Sequence, residues 1–176
     1  MGAERLRSDL PVTRYPSGWE GHVRALVTDI ITVNESGTHV LLVWRGEKEL
    51  EGNKWALIGG YVDPDRTVAE TAKNETHEEA ATRIGSLMLY KIVDDPRRRN
   101  EPNQNISAVC VNTIEDQTTY GELEVNDPDQ GTTRARWFGR DELPSEAEMA
   151  FDHHKILTAY MTEPSNVYPM SVFMSA

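Results

Sequence analysis

Between Thr67 and Thr82 the side chains Ala69, Ala72, Thr76 and Ala80 recur at spacings of three and four, the repeat of one helix face. A stripe this small predicts a helix that approaches a flat apolar surface closely. The flanking sequence supplies that surface. Runs rich in β-branched residues read as strands at 22–33, 38–46, 54–62, 86–95, 106–116 and 133–140, separated by turn residues such as "NESG" after Val33. The first two predict a hairpin. Residues 117–132 read as a long exposed loop and 141–162 as a closing helix, stopped by Pro164. The expected class is α/β, a mixed sheet covered by helices.

A chain of 176 residues can bury one substantial core, and two would be marginal. We therefore expect a single domain over 1–176, with a lead-in at 1–19, a core at 20–162 and a C-terminal tail at 163–176. The 29 acidic side chains outnumber the 18 basic ones, for a formal net charge of −11. That balance opposes non-specific binding to nucleic acid or anionic membrane. No run of about 18 apolar residues appears, and a cytoplasmic protein is the expectation. Cys110, the single cysteine, sits in "ISAVCVNTI" and reads as a buried structural thiol. His153 and His154 are adjacent, so on a helix they diverge by about 100° and do not share one ion. A capping or packing role is expected of them.

On the helix at 67–82 the acidic residues concentrate near the end. Taking Glu75 as zero, Glu78 falls near roughly −60° and Glu79 near roughly +40°, one face beside the small stripe. Like charges so close weaken a helix unless a cation compensates them. A solvated face is the bland reading of such a run. Gly59 and Gly60 precede the helix, however, and offer backbone unobstructed by side chains. Oxygen ligands of this kind suit Mg²⁺ or Mn²⁺ shared with phosphate oxygens.

The run from Gly60 to Thr82 resembles the signature of the Nudix hydrolases, G-x5-E-x7-R-E-U-x-E-E-x-G-U with U apolar. Gly60 fills the first glycine, Glu75 the glutamate of the R-E pair, and Glu78 with Glu79 the E-E pair. "KWALIGGYV" is similar to the family's approach to the box. Arg66 stands where the pattern has its first glutamate, Asn74 where it has arginine, Thr76 and Thr82 where it has apolar residues, and Ala81 where it has the second glycine. In the family that arginine orients the box carboxylates; Lys73 and Arg66 are the candidates to substitute for it, which the spacing does not decide. "DDPRRRNEPNQNISAVCV" and "RWFGRDELP" resemble segments of Nudix proteins acting on ADP-ribose.

The resemblance implies a Nudix-type α/β/α sandwich and a metal-dependent pyrophosphohydrolase, with ADP-ribose or a similar nucleoside diphosphate derivative as substrate. It implies Glu75, Glu78 and Glu79 as catalytic groups, which with Gly60 hold Mg²⁺ or Mn²⁺. The general base is left among Glu79, Glu101, Glu122 and Glu124. Arg45 and the consecutive Arg97, Arg98 and Arg99 are expected to meet phosphate, since the arginine fork suits its oxygens; pairing with Asp94 and Asp95 is the structural reading of the same run. Trp19, beside Tyr15 in the lead-in, is placed to cover a base, in the same chain or in a homodimer partner. The alternatives are a Nudix-fold ligand-binding module with an impaired box, and a hydrolase of nucleoside triphosphates or sugar nucleotides.

Overall fold

A computed structural model describes residues 12–98, 104–127 and 131–173. Eleven strands occur among them: β1 (Val12–Arg14), β2 (Glu20–His22), β3 (Leu26–Asn34), β4 (His39–Arg45), β5 (Trp55–Ala56), β6 (Ile58–Tyr61), β7 (Ser86–Val93), β8 (Ile106–Ile114), β9 (Glu122–Leu123), β10 (Thr132–Gly139) and β11 (Tyr168–Pro169). The helices are α1 (Val68–Ala80) and α2 (His153–Thr162), with short 3₁₀ turns at Arg140–Glu142 and Met170–Val172. β1 and β2 pair with each other. The other nine form one mixed sheet in the order β11-β7-β8-β3-β4-β10-β9, with β5 on β4 and β6 on β3. Its centre is the parallel pair β3 and β8, and the predicted hairpin of β3 with β4 is antiparallel.

Strand alternation sorts the core into two layers. Ile31, Val33, Val40, Leu42, Leu57, Val109, Val111 and Phe138 pack with Ile156 and Leu157 of α2. Their neighbours Ile30, Leu41, Val43, Ile58, Ala135 and Trp137 turn the other way and meet Ala72 and Ala80 of α1. Each fully buried Leu or Ile contributes about 1.5–3 kcal/mol relative to exposure. The sandwich of helix, sheet and helix is therefore the one the periodicities require. Cys110 is buried in β8, where enclosure pushes its thiol up to about 11.

α1 begins where its sequence says it should. Thr67 caps it, its hydroxyl accepting from the Glu70 amide at 3.2 Å while the Glu70 carboxylate accepts from the Thr67 amide at 2.8 Å. Four residues of the packed face are fully enclosed or nearly so, Thr71, Ala72, Thr76 and Ala80, whereas Ala69 is only half-buried.

Two expectations are corrected. The closing helix does not extend back to Asp141. Met149 pairs with Trp55 instead, with Trp55 N donating to Glu148 O at 2.9 Å and Ala150 N to Trp55 O at 2.8 Å. Phe151 then takes a positive φ of 48°, so a helix starts only after it. The segment 117–132 is also more than an exposed loop. Glu122 and Leu123 pair with β10, and Tyr120 lies stacked on His39 with ring centroids 3.7 Å apart.

Candidate active site

β6 and α1 bring the acidic face of the helix against backbone. The Gly59 amide donates to Glu79 Oε2 at 2.9 Å. At Gly60 a Cβ would collide with the Glu75 carboxylate, so a side chain there would displace that carboxylate from its present place. On the far side of the helix end, Asn126 N donates to the Glu78 carbonyl at 2.8 Å, which ties the segment after β9 to α1. That tie brings in Asp127, whose Oδ2 accepts from the Thr132 amide at 2.6 Å. The Thr132 hydroxyl in turn donates to Glu79 Oε1.

The crowding of carboxylates shows in their protonation. Burial, then the charges of Glu78, Asp127 and Asp63, push Glu75 up to about 7, with Arg66 opposing weakly. Burial pushes Glu79 up to about 8 although Thr132 and Gly59 hydrogen-bond its charged form; Glu75 raises it further and Arg45 lowers it. Burial is the larger cause of both shifts, and the charges of neighbouring carboxylates add to it.

A cleft of about 280 Å³ opens beside Gly59 and Gly60, walled by Arg45, Glu49, Tyr61 and Phe151. Arg45 lies over the Phe151 ring at 5.1 Å, donates from Nε to Leu50 O at 2.9 Å and approaches Glu49 at 3.6 Å. The floor is a buried ionic cluster. Arg98 donates from Nε and Nη2 to Asp152 at 2.7–3.2 Å and from Nη2 to Asp29 Oδ2 at 3.3 Å. Ser107 also donates to Asp29 Oδ2. His153 Nδ1 accepts from the Leu57 amide at 3.0 Å, which leaves its Nε2 facing Asp29 Oδ1 at 3.3 Å. Burial alone would raise Asp29, but His153, Arg98 and Ser107 outweigh it and hold this carboxyl well below the usual range. A larger cavity of about 460 Å³ lies on the α2 side, between Tyr90, Arg97 and Lys155. It shares Arg98, Phe151 and Asp152 with the cleft and its surroundings and does not reach the glycine pair.

The NUDIX domain profile matches residues 23–160. The chain belongs to the Nudix family. The region matched contains the sheet's central strands, α1 and nearly all of α2. No curated protein sequence matches it. Among solved structures, it is similar to a bifunctional NMN adenylyltransferase/ADP ribose pyrophosphatase from Francisella tularensis complexed with AMP and Mn ion. That likeness is 22% identity and a TM-score of 0.64 over 80% of this chain and 42% of that one. The chain thus spans about two-fifths of the bifunctional protein. It is also similar to the NUDIX domain of Shewanella oneidensis NrtR complexed with ADP ribose, at 16% identity and a TM-score of 0.66, covering 94% of this chain and all of that one. An ADP-ribose pyrophosphatase from Streptococcus suis matches at 19% identity and a TM-score of 0.60, over 83% of this chain and 96% of that one. At such identities the likeness is one of fold.

Within this Nudix domain the structure groups Gly60, Glu75 and Glu79, with Glu78 exposed on the next turn and Arg45 across the cleft. Among the described residues no three acidic, histidine or cysteine side chains converge on one point. Arg66 pairs with Asp63 at 3.1 Å at the surface, and its charge opposes the rise at Glu75. Ala81 adopts the left-handed conformation, φ 44°, that explains a glycine at that place in the family pattern. Arg97 bonds Asp95 at the surface at 3.1 Å, whereas Arg98 is sealed between Asp29 and Asp152. Arg99 and Glu101 lie outside the described residues. Glu122 pairs with Arg134 at the β9 edge and Glu124 is exposed. Trp19 is exposed on the β1–β2 hairpin, 5.2 Å from the Tyr15 ring, and does not line the cleft. His153 is buried with both ring nitrogens engaged, the packing role expected of it.

Sequence reasoning missed Asp127 and Thr132. Nothing in the spacing of "VNDPDQGTT" singles them out; only the tie from Asn126 to α1 brings them to the box.

Proposed function

We propose that the protein hydrolyses ADP-ribose or a similar nucleoside diphosphate derivative at its pyrophosphate, using Mg²⁺ or Mn²⁺ held by Glu75, Glu78, Glu79 and the Gly60 carbonyl. The observation that carries this is the juxtaposition of Glu75 and Glu79 with the glycine pair at the mouth of the cleft. The chemistry of the donor set suits such an ion, although the three carboxylates do not converge on one point as they stand. The set is all oxygen, as these hard cations prefer, and the room beside Gly60 that a Cβ would fill is taken by a carboxylate. When bound, the divalent cation offsets charge on the pyrophosphate oxygens and makes water more nucleophilic near neutral pH.

The chain's own residues do the rest. Arg45 faces the cleft from the end of β4 and supplies positive charge to a phosphate placed beside Gly60. Its cation–π contact with Phe151 and its bond to Leu50 fix the guanidinium before substrate arrives. Asp127, whose charge acts on Glu75 and whose Oδ2 accepts from the Thr132 amide, joins Glu79 among the carboxylates to which proton transfer from water is assigned. ADP-ribose is favoured because the similar folds include proteins named for that substrate or complexed with it. In this reading the exposed Trp19 covers the base, within one chain or across a homodimer.

Separate Glu75→Gln and Glu79→Gln proteins test the assignment. Each is expected to lose metal-dependent turnover of ADP-ribose, and full turnover in both would sink it.

A further inference from the structure

β10 breaks its own alternation at the point where it passes the box. Ala135 and Trp137 face α1, so period two would aim Thr133 the same way and turn Thr132 to the opposite layer. The pairing with β4 shifts register between Thr132 and Arg134: Arg134 opposes Trp44, but Thr132 opposes Arg45, so Thr133 is an extra residue. That is a β-bulge, a device that re-aims a side chain. Its result is visible in exposure, since Thr132 is 3% exposed and Thr133 is exposed.

The re-aimed hydroxyl meets Glu79 Oε1, while the Gly59 amide meets Glu79 Oε2. The carboxylate is therefore held by one neutral donor on each oxygen, from β10 and β6. Thr132 is itself held, because its amide donates to Asp127. Arg66 bonds Asp63, and Arg45 bonds Leu50 and Glu49, so among the described residues no arginine or lysine is bonded to Glu79. A carboxylate has about four acceptor positions, and two remain for a ligand.

We propose that Thr132 is a positioning residue of this hydrolase: the β-bulge delivers its hydroxyl to Glu79, fixing the carboxylate in the orientation that binds the cation and linking it to Asp127. The inference rests on the metal reading of the box but assigns to Thr132 and Gly59 the orienting work that no cationic side chain does here.

Thr132→Ser and Thr132→Ala, which differ by one hydroxyl, test it alongside Thr132→Val, which keeps the branched shape. The readouts are Mn²⁺ affinity by titration calorimetry without substrate, thermal unfolding, and kcat and KM separately. The Ser protein is expected to bind Mn²⁺ within about threefold of the parent. The Ala and Val proteins are expected to bind it at least about tenfold more weakly, the usual scale for removing a partner of a metal ligand, with kcat falling more than KM rises. Ser and Ala proteins of equal Mn²⁺ affinity, both near the parent, would overturn the role of Thr132 and leave the metal site standing. Parent and Glu75→Gln proteins equally indifferent to Mn²⁺ would remove the metal site, and this role with it.

Discussion

Gly60 and Glu75 occupy one space: the carboxylate lies where a β-carbon on residue 60 would be. Gly60→Ala must therefore push the Glu75 carboxylate, the nearest group to the added carbon, away from β6. Metal-dependent turnover is expected to drop about 10–100-fold, the range seen when a ligand's orientation is lost. Thermal unfolding should change little. Parental turnover in the Gly60→Ala protein would show that Glu75 does not need this position.

Ala81 closes α1 with φ 44° and its amide donating to His77 O. An L-residue in that region is strained by roughly 1–2 kcal/mol, which glycine avoids, although glycine also enlarges the unfolded ensemble. Ala81→Gly is expected to stabilise the protein by about 0.5–1 kcal/mol in urea unfolding. A destabilised variant would contradict the strain.

Arg98 neutralises two enclosed carboxylates, Asp29 and Asp152, and its side chain is 4% exposed. Breaking a buried pair on one side leaves charge without a partner and costs about 3–5 kcal/mol. Arg98→Met is expected to lose stability on that scale, and Arg97→Met, at the surface, less than about 1 kcal/mol. Equal effects would mean that the cluster is not a buried floor to the cleft.

Asp29 also sets an acid limit. Its native carboxyl titrates below the ordinary value near 4 because His153, Arg98 and Ser107 outweigh its burial. The stability it contributes is full above about pH 4 and is lost as pH falls through that value toward the depressed native one. Urea midpoints between pH 5 and pH 2.5 should fall less steeply in Asp29→Asn than in the parent, from a lower starting stability. Parallel slopes would rule the linkage out.

Much of this architecture is legible in one sequence because it is periodic. The strands around Ile30–Ile31 and Leu41–Leu42 alternate, α1 repeats its small residues every three or four positions, and the two layers follow. What escaped reading is non-local. Helical pattern around Met149 yields to backbone bonds with Trp55, which no window over 141–162 contains. No window over the run Arg97–Arg99 shows that Asp29 and Asp152, 69 and 54 residues away, bond Arg98. Thr132 was hidden more deeply, since the bulge at Thr133 inverts the parity by which a strand residue's face is judged. The carboxylates of the box and the glycine pair beside them were visible; Thr132 and Asp127 were not.

The central claim is that the box carboxylates support metal-dependent hydrolysis. The direct measurement is turnover of ADP-ribose, beside sugar nucleotides, dinucleotides and nucleoside triphosphates, with Mg²⁺ or Mn²⁺ and with chelator. Release of AMP from ADP-ribose that requires the metal and is lost in Glu75→Gln is the predicted result. Turnover indifferent to chelator, or silence across all substrates while ADP-ribose still raises the melting temperature, would contradict it and mark the fold as a ligand-binding module.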